Sequence, residues 1–122
     1  MFSKAKNEIE RLKSKKEIEL LFIEGSHLKK GPVKLVGVKK NICSLFVGFG
    51  VSKRSFPKAV DRNRIKRLMR EQFKQLRSSK SYIPVYGNIF FLFLGKEIPH
   101  LKELQKPMGE VINQWINEGK EP

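Results

Sequence analysis

Several features that mark large classes of protein are scarce or missing in this sequence of 122 residues. Cys43 is its only cysteine, which excludes an internal disulfide and a cysteine-based zinc cluster. The longest apolar run, "IFFLFL" at 89–94, is far shorter than the roughly 18 residues of a membrane-spanning helix. No uninterrupted apolar stretch of the signal-peptide kind occurs near the N-terminus. We therefore expect a soluble, cytoplasmic protein in which Cys43 is a small buried apolar side chain.

Acidic residues are also scarce relative to basic ones. The chain has 12 Asp and Glu against 26 Lys and Arg, a formal net charge of +14. Repulsion among so many like charges destabilises the compact state, and a polyanionic partner is the simplest reason to carry them. Residues 53–80 contain eleven Lys or Arg and only two acidic residues, Asp61 and Glu71. The positive charge is therefore concentrated in one segment.

The sequence also contains no recognisable set of catalytic groups. It has no G-x-x-x-x-G-K-[ST] loop, no D-x-D pattern and no Cys/His spacing of the kind that binds metal. His27 and His100 lie in loop-like contexts without acidic clusters, and we interpret both as surface or capping residues. We expect no catalytic and no metal-binding residue in this chain, so any reaction would use an active site that another component supplies.

Hydrophobic periodicity predicts a single α+β domain over residues 1–122, with helices packed on one sheet. Ser14 and Glu17 form an S-x-x-E capping box for the first helix, and Gly25 ends it. Residues 25–32 are predicted to be a loop, and Pro107 to kink or restart the last helix. The first helix is predicted at about 14–24 and the last at 100–118. The central helix is predicted to begin between residues 55 and 61 and to end at about 78. Strands are predicted at 33–38, 42–52 and 88–94.

The central helix has an apolar stripe and a basic face on opposite sides. The stripe comprises Ile65, Leu68, Met69, Phe73 and Leu76. The opposite side carries Asn63, Lys66, Arg67, Arg70, Lys74 and Arg77. Like charges four residues apart destabilise a helix, whereas a solvated face usually mixes both signs. The pattern therefore favours binding to phosphates, and Asn63 could fix the register because its amide both donates and accepts hydrogen bonds.

Residues 47–71, "VGFGVSKRSFPKAVDRNRIKRLMRE", resemble the protein subunit of bacterial ribonuclease P. The family hallmark matches Arg62-Asn63-Arg64, and the strand end before it matches Gly50-Val51-Ser52-Lys53. The resemblance covers roughly residues 9–95. It implies an α-β-β-β-α-β-α sandwich related to the second domain of ribosomal protein S5. Three strands would then precede the long helix, whereas periodicity reveals only two.

The resemblance also implies a function and a set of partners. The chain would be the non-catalytic subunit of a ribozyme that removes the 5′ leader from precursor tRNA. Its partners would be the catalytic RNA and precursor tRNA, with neither membrane nor DNA, and Mg²⁺ would be bound mainly by the RNA. The positions implied to contact RNA are Lys53, Arg54, Arg62, Asn63, Arg64, Lys66, Arg67, Arg70 and Lys74.

A cleft for the single-stranded leader is implied between the first helix and the sheet, at Ile18, Phe22, Val36 and Phe46. The family has aromatic residues at the first three of these positions, and only Phe22 keeps one here. Stacking on leader bases is then expected to be weaker, although Phe46 could compensate. The alternative is that Phe22 and Phe46 are ordinary core residues.

Two other functions remain open at this stage. A general or ribosomal RNA-binding module would use the same basic helix and would not stimulate precursor cleavage. A protein-only nuclease would cleave RNA with a metal and without an RNA subunit, which the missing carboxylate cluster disfavours.

Overall fold

A computed structural model describes residues 9–11, for their backbone only, and residues 15–39, 45–78 and 87–118. Its elements are β1 Ile9–Arg11, α1 Lys15–Glu24, β2 Ser26–Lys30, β3 Val33–Lys39, β4 Leu45–Val51, α2 Ala59–Arg77, β5 Gly87–Phe93 and α3 Leu101–Asn117. From α1 to α3 the order is the expected α-β-β-β-α-β-α, so the predicted fold class is confirmed. Cys43 and the proposed capping residue Ser14 lie outside the described residues.

The five strands form one mixed sheet in the order β1-β4-β5-β3-β2. β5 is central, which fits its almost wholly apolar sequence, and it pairs parallel to β4 and antiparallel to β3. Ile89, Phe91 and Phe93 of β5 are buried on one face of the sheet, while Phe90 and Leu92 are half-buried on the other. The two faces of the sheet are therefore buried to different extents at β5.

The prediction of a loop at 25–32 is wrong, because these residues form β2 and a tight turn. β2 is an edge strand whose single buried residue is Leu28, so it shows no alternation of apolar and polar residues. Gly31 has a φ of 54° at the first central position of the turn, as a type II′ hairpin requires, and Pro32 follows it. This hairpin supplies the third strand that the resemblance implied.

β1 was not predicted at all. It has only three residues and pairs parallel to β4, with Ile9 opposite Leu45. A three-residue segment is too short to display a period of two, and its partner strand is distant in sequence. Sequence periodicity therefore carries no signal for it.

The main core lies between one face of the sheet and the helices α2 and α3. The apolar stripe of α2 is confirmed, since Ile65, Met69 and Phe73 are buried and Leu68 and Leu76 pack against the core. α3 continues through Pro107 without a restart. The buried residues of α3 lie on one side of the helix: Leu104, Met108, Val111, Ile112, Trp115 and Ile116.

The C-terminal end of α3 is fastened to β3 by Lys39. Its ammonium donates hydrogen bonds to the carbonyl oxygens of Ile116, at 3.0 Å, and of Glu118, and lies 5.6 Å from the ring centroid of Trp115. A Cβ at Gly37 would lie 2.6 Å from the indole nitrogen of Trp115, so this position on β3 needs glycine. Trp115 thus packs directly on the sheet backbone.

Candidate nucleic-acid interface

The basic side of α2 is exposed, opposite the buried stripe. We call this surface the cationic face; its members are Asn63, Lys66, Arg67, Arg70 and Lys74, of which only Lys66 is half-buried. At about 1.5 Å per residue, Asn63 and Lys74 are about 16 Å apart along the helix axis. Arg64 is exposed on the margin of the helix, and Lys53 and Arg54 are exposed in the segment that follows β4.

Arg70 is held against the sheet by an aromatic contact. Its guanidinium carbon lies 5.3 Å from the ring centroid of Phe49 on β4. The Phe49 ring is stacked on Phe91 of β5, with centroids 5.7 Å apart and an interplanar angle of 11°. A cation over an aromatic face is stabilised by the ring quadrupole, so one member of the cationic face is ordered by the core beneath it.

Arg62 makes contacts that the sequence did not reveal. Its Nη1 donates hydrogen bonds to the carbonyl oxygens of Phe56 and Pro57, both at 2.8 Å, and the side chain is half-buried. Phe56 is 6% exposed and packs on Phe93, with ring centroids 6.1 Å apart. Arg62 therefore braces the segment between β4 and α2, the segment that carries Lys53 and Arg54.

The four residues expected to line a cleft belong to one cluster between α1 and the other face of the sheet, called here the cluster beneath α1: Ile18 and Phe22 lie on α1, and Val36 and Phe46 lie on β3 and β4. Leu21 and Val36 form the buried centre of this smaller cluster. The half-buried residues around them are Ile18, Phe22, Val38, Phe46 and Phe90. Val36 is 0% exposed, so it forms the floor under α1 and offers no surface of its own.

Phe90 belongs to this cluster and was missed in the sequence. Its ring meets Phe22 edge-on, with centroids 5.5 Å apart at 63°. It also covers Gly50, where a Cβ would lie 2.6 Å from its Cζ atom. Gly50 thus leaves room for an aromatic ring from the neighbouring strand. The sequence does indicate that Phe90 points to the opposite face of β5 from Phe91, because side chains alternate along a strand. Its place in this cluster becomes predictable only once the face covered by α1 is known.

Both histidines lie beside helix ends, which fits their interpretation as surface or capping residues. The Nε2 atom of His27 is 2.8 Å from the carbonyl oxygen of Phe22 in the last turn of α1. His100 precedes α3, and its backbone N–H donates to the Glu103 carboxylate at 2.8 Å. His27 also lies edge-on to the Phe22 ring, at 6.0 Å. His27 therefore contacts both the backbone and the ring of Phe22.

The described parts of the chain bring no three His, Cys, Asp or Glu side chains together as a possible metal site. Within the same residues, no helix combines the length and the apolar character needed to cross a bilayer.

Comparison with known proteins gives consistent matches. Residues 7–106 match the family model described as Ribonuclease P. The ribonuclease P protein component of Porphyromonas gingivalis is 28% identical over 106 residues, covering 81% of this chain and 77% of that protein.

Two solved structures resemble the fold described above. The RNase P protein of Staphylococcus aureus has a TM-score of 0.70 at 24% identity, covering 84% of this chain and 92% of that chain. The RNase P protein of Thermotoga maritima has a TM-score of 0.72 at 24% identity, covering 86% and 96%. At this level of identity the two structures bear on the fold alone, and both share the α+β architecture.

Proposed function

The chain belongs to the ribonuclease P protein family, and we propose that it is the protein component of an RNA-based enzyme that matures the 5′ end of tRNA. In this proposal the cationic face binds the catalytic RNA, together with Lys53, Arg54 and Arg64. The cluster beneath α1 binds the single-stranded 5′ leader of precursor tRNA. The chain's contribution is to bind and orient RNA.

The observation that carries the proposal is the cationic face itself. Like charges one turn apart on α2 are unfavourable in the free protein, and RNA phosphates would neutralise them and release counterions. The buried stripe opposite fixes the rotation of the helix, and the Phe49 ring fixes Arg70. Binding therefore begins from a preorganised surface, which reduces the entropy lost on association.

Arg62 has a structural role in this proposal. Because its Nη1 is committed to the carbonyl oxygens of Phe56 and Pro57, it fixes the loop that presents Lys53 and Arg54. Asn63 is exposed beside it and can both donate to a phosphate or a base and accept from a 2′-hydroxyl. The R-N-R triplet would then combine a bracing residue with residues that contact RNA directly.

The cluster beneath α1 suits an unpaired leader. Phe22, Phe46 and Phe90 are half-buried, so parts of their rings are accessible to bases. Each stacked base typically contributes about 1–3 kcal/mol to binding. Since Ile18 and Val36 replace family aromatics, and Val36 is buried, stacking would depend on these three phenylalanines.

Magnesium would be held mainly by the RNA partner, because the described residues of this chain offer no cluster of ligands for it. Mg²⁺ bound there would activate the attacking water and stabilise the leaving oxygen. The basic side chains would lower the Mg²⁺ requirement, since they neutralise part of the RNA charge that free cations otherwise screen.

The proposal is tested by cleavage of precursor tRNA at low Mg²⁺ with protein alone, catalytic RNA alone, and both together. We expect cleavage only in the mixture. Cleavage by RNA-free protein would indicate a protein nuclease. Tight RNA binding without stimulation would indicate a general RNA-binding module.

Matched variants then test whether the cationic face is the surface that binds the catalytic RNA. Arg67→Gln with Lys74→Gln removes two charges from the cationic face, and Lys102→Gln with Lys106→Gln removes two from exposed positions on α3. Only the first pair is expected to weaken assembly with the catalytic RNA.

A further inference from the structure

The β2–β3 hairpin contains a second unfavourable arrangement of positive charges. The strand register places Lys29 directly opposite Lys34. Residues paired in this way have Cβ atoms about 4.5–5.5 Å apart, and like charges there destabilise the sheet. Lys29 is exposed, and Lys34 is half-buried. The aliphatic part of the Lys34 side chain can therefore lie on the sheet while its ammonium group reaches solvent.

This lysine pair lies on the same face of the sheet as the cluster beneath α1. One cross-strand row of that face contains Phe90, Val36 and His27, and the next contains Leu92, Lys34 and Lys29. Successive rows are about 6.6 Å apart, because two residues of a strand separate them. The lysines are therefore neighbours of the proposed leader cleft, on the side of the hairpin turn.

We propose that Lys29 and Lys34 form a second phosphate-binding site, which extends the leader cleft and contacts the backbone of single-stranded RNA beyond the bases stacked there. This inference rests on the proposed function. Ammonium groups are point charges that attract phosphate without reading bases, so the site would respond to leader length and not to leader sequence. The half-buried rings next to it favour unpaired RNA as the occupant, since only splayed bases can stack on them.

The site is separate from the surface assigned to the catalytic RNA. The cationic face belongs to α2, which packs on the opposite face of the sheet against Val47, Phe91 and other core residues. Removing Lys29 and Lys34 should therefore leave assembly with the catalytic RNA intact while it weakens binding of the leader.

The experiment measures binding of precursor tRNAs with a short and a long leader to the reconstituted ribonucleoprotein. The variants are Lys29→Gln with Lys34→Gln and, as a charge-matched control, Lys102→Gln with Lys106→Gln. We expect the hairpin variant to bind the long-leader precursor several-fold more weakly and the short-leader precursor as the wild type does. Its salt dependence for the long leader should shrink by about 0.7 in log–log slope for each phosphate that the variant no longer neutralises.

Two results would overturn the inference. Unchanged binding of the long-leader precursor would show that Lys29 and Lys34 are solvent-exposed side chains that do not contact the leader. Equally weakened binding of both precursors would show that these lysines contact another part of the RNA. Failure of the proposed function has a different signature, because the wild-type protein would then neither stimulate cleavage nor discriminate between leaders.

Melting temperature gives an independent readout. Removal of the opposed charges should leave the melting temperature of the hairpin variant unchanged or raise it, so that weaker binding cannot be attributed to unfolding. A lower melting temperature would contradict the repulsion between Lys29 and Lys34 on which the inference depends.

Discussion

The guanidinium of Arg70 lies over the ring of Phe49, 5.3 Å from its centroid. A residue of the cationic face is therefore ordered by the aromatic stack of the core. Arg70 differs in this respect from Lys74, one turn further along α2, for which no aromatic contact is found in the described residues.

Replacing Arg70 should affect both stability and RNA binding. We expect Arg70→Gln to lower the free energy of unfolding by about 0.5–1 kcal/mol, the usual magnitude of an exposed cation–π contact. It should also reduce the log–log salt slope of RNA binding by about 0.7–0.9 if Arg70 neutralises one phosphate. Lys74→Gln is the control, with a similar change in slope and a stability within about 0.5 kcal/mol of the wild type. Urea unfolding and salt titration measure the two quantities; equal stability of the two variants would contradict a role for the Phe49 ring.

Arg62 should behave as a structural residue. Hydrogen bonds from charged donors typically contribute about 1.5–3 kcal/mol, and partial solvent exposure lowers this, so Arg62→Ala should destabilise the protein by about 1–3 kcal/mol. Arg67→Ala, on the exposed face, should change stability by less than about 0.5 kcal/mol and still weaken RNA binding. Thermal or urea unfolding distinguishes them. If Arg62→Ala were as stable as the wild type, the hydrogen bonds of Arg62 to the Phe56 and Pro57 carbonyl oxygens would contribute nothing measurable to stability.

Asn63 should contribute hydrogen bonds and not charge. Asn63→Lys adds a positive charge to the cationic face and removes the acceptor. We expect it to bind non-specific RNA at least as tightly as the wild type but to stimulate precursor cleavage less. Asn63→Ala should weaken binding of the catalytic RNA by about 0.5–1.5 kcal/mol because a hydrogen bond is removed. Unchanged affinity and activity of Asn63→Ala would exclude a direct role for this side chain.

Much of this architecture was predictable because long elements carry a periodic signal. The buried stripe of α2 follows from the spacing of apolar residues alone, and so do the approximate bounds of α3 and β5. β2 and β1 were missed for a physical reason. β2 is an edge strand with only Leu28 buried, and β1 has only three residues. Pairing with neighbouring strands stabilises both, so neither shows a pattern of apolar residues of its own.

The candidate interface was predictable in composition but not in detail. The exposure of Asn63, Arg67 and Lys74 follows from helical geometry. The contact of Arg62 with the Phe56 carbonyl, and the insertion of Phe90 over Gly50, depend on loop path and strand register. Neither of these contacts can be predicted from local sequence, because each joins residues that only the tertiary fold brings together.

Gly50 should be required for the packing of the Phe90 ring on β4. A Cβ there would lie 2.6 Å from Phe90 Cζ, so Gly50→Ala must displace the ring. Overpacking of this kind typically destabilises by about 1–3 kcal/mol, and leader binding should fall because Phe90 moves away from Phe22. Gly109→Ala in α3 is the contrasting substitution. Its Cβ would meet Leu76 at an ordinary 3.6 Å, and the helix should gain about 0.5–1 kcal/mol. Calorimetry compares the two, and a stabilised Gly50→Ala protein would contradict the tight contact.

The bond between Lys39 and the carbonyl oxygen of Glu118 joins residues 79 positions apart. Contacts of such long range form slowly, because closing a large loop costs entropy before the contact provides any stabilisation. Docking of α3 should therefore be a late event in folding, preceded by the local β2–β3 hairpin. Trp115 is the only tryptophan of the chain and packs on Gly37 at this junction. Its intrinsic fluorescence is thus a built-in reporter of the moment at which the last helix closes over the sheet.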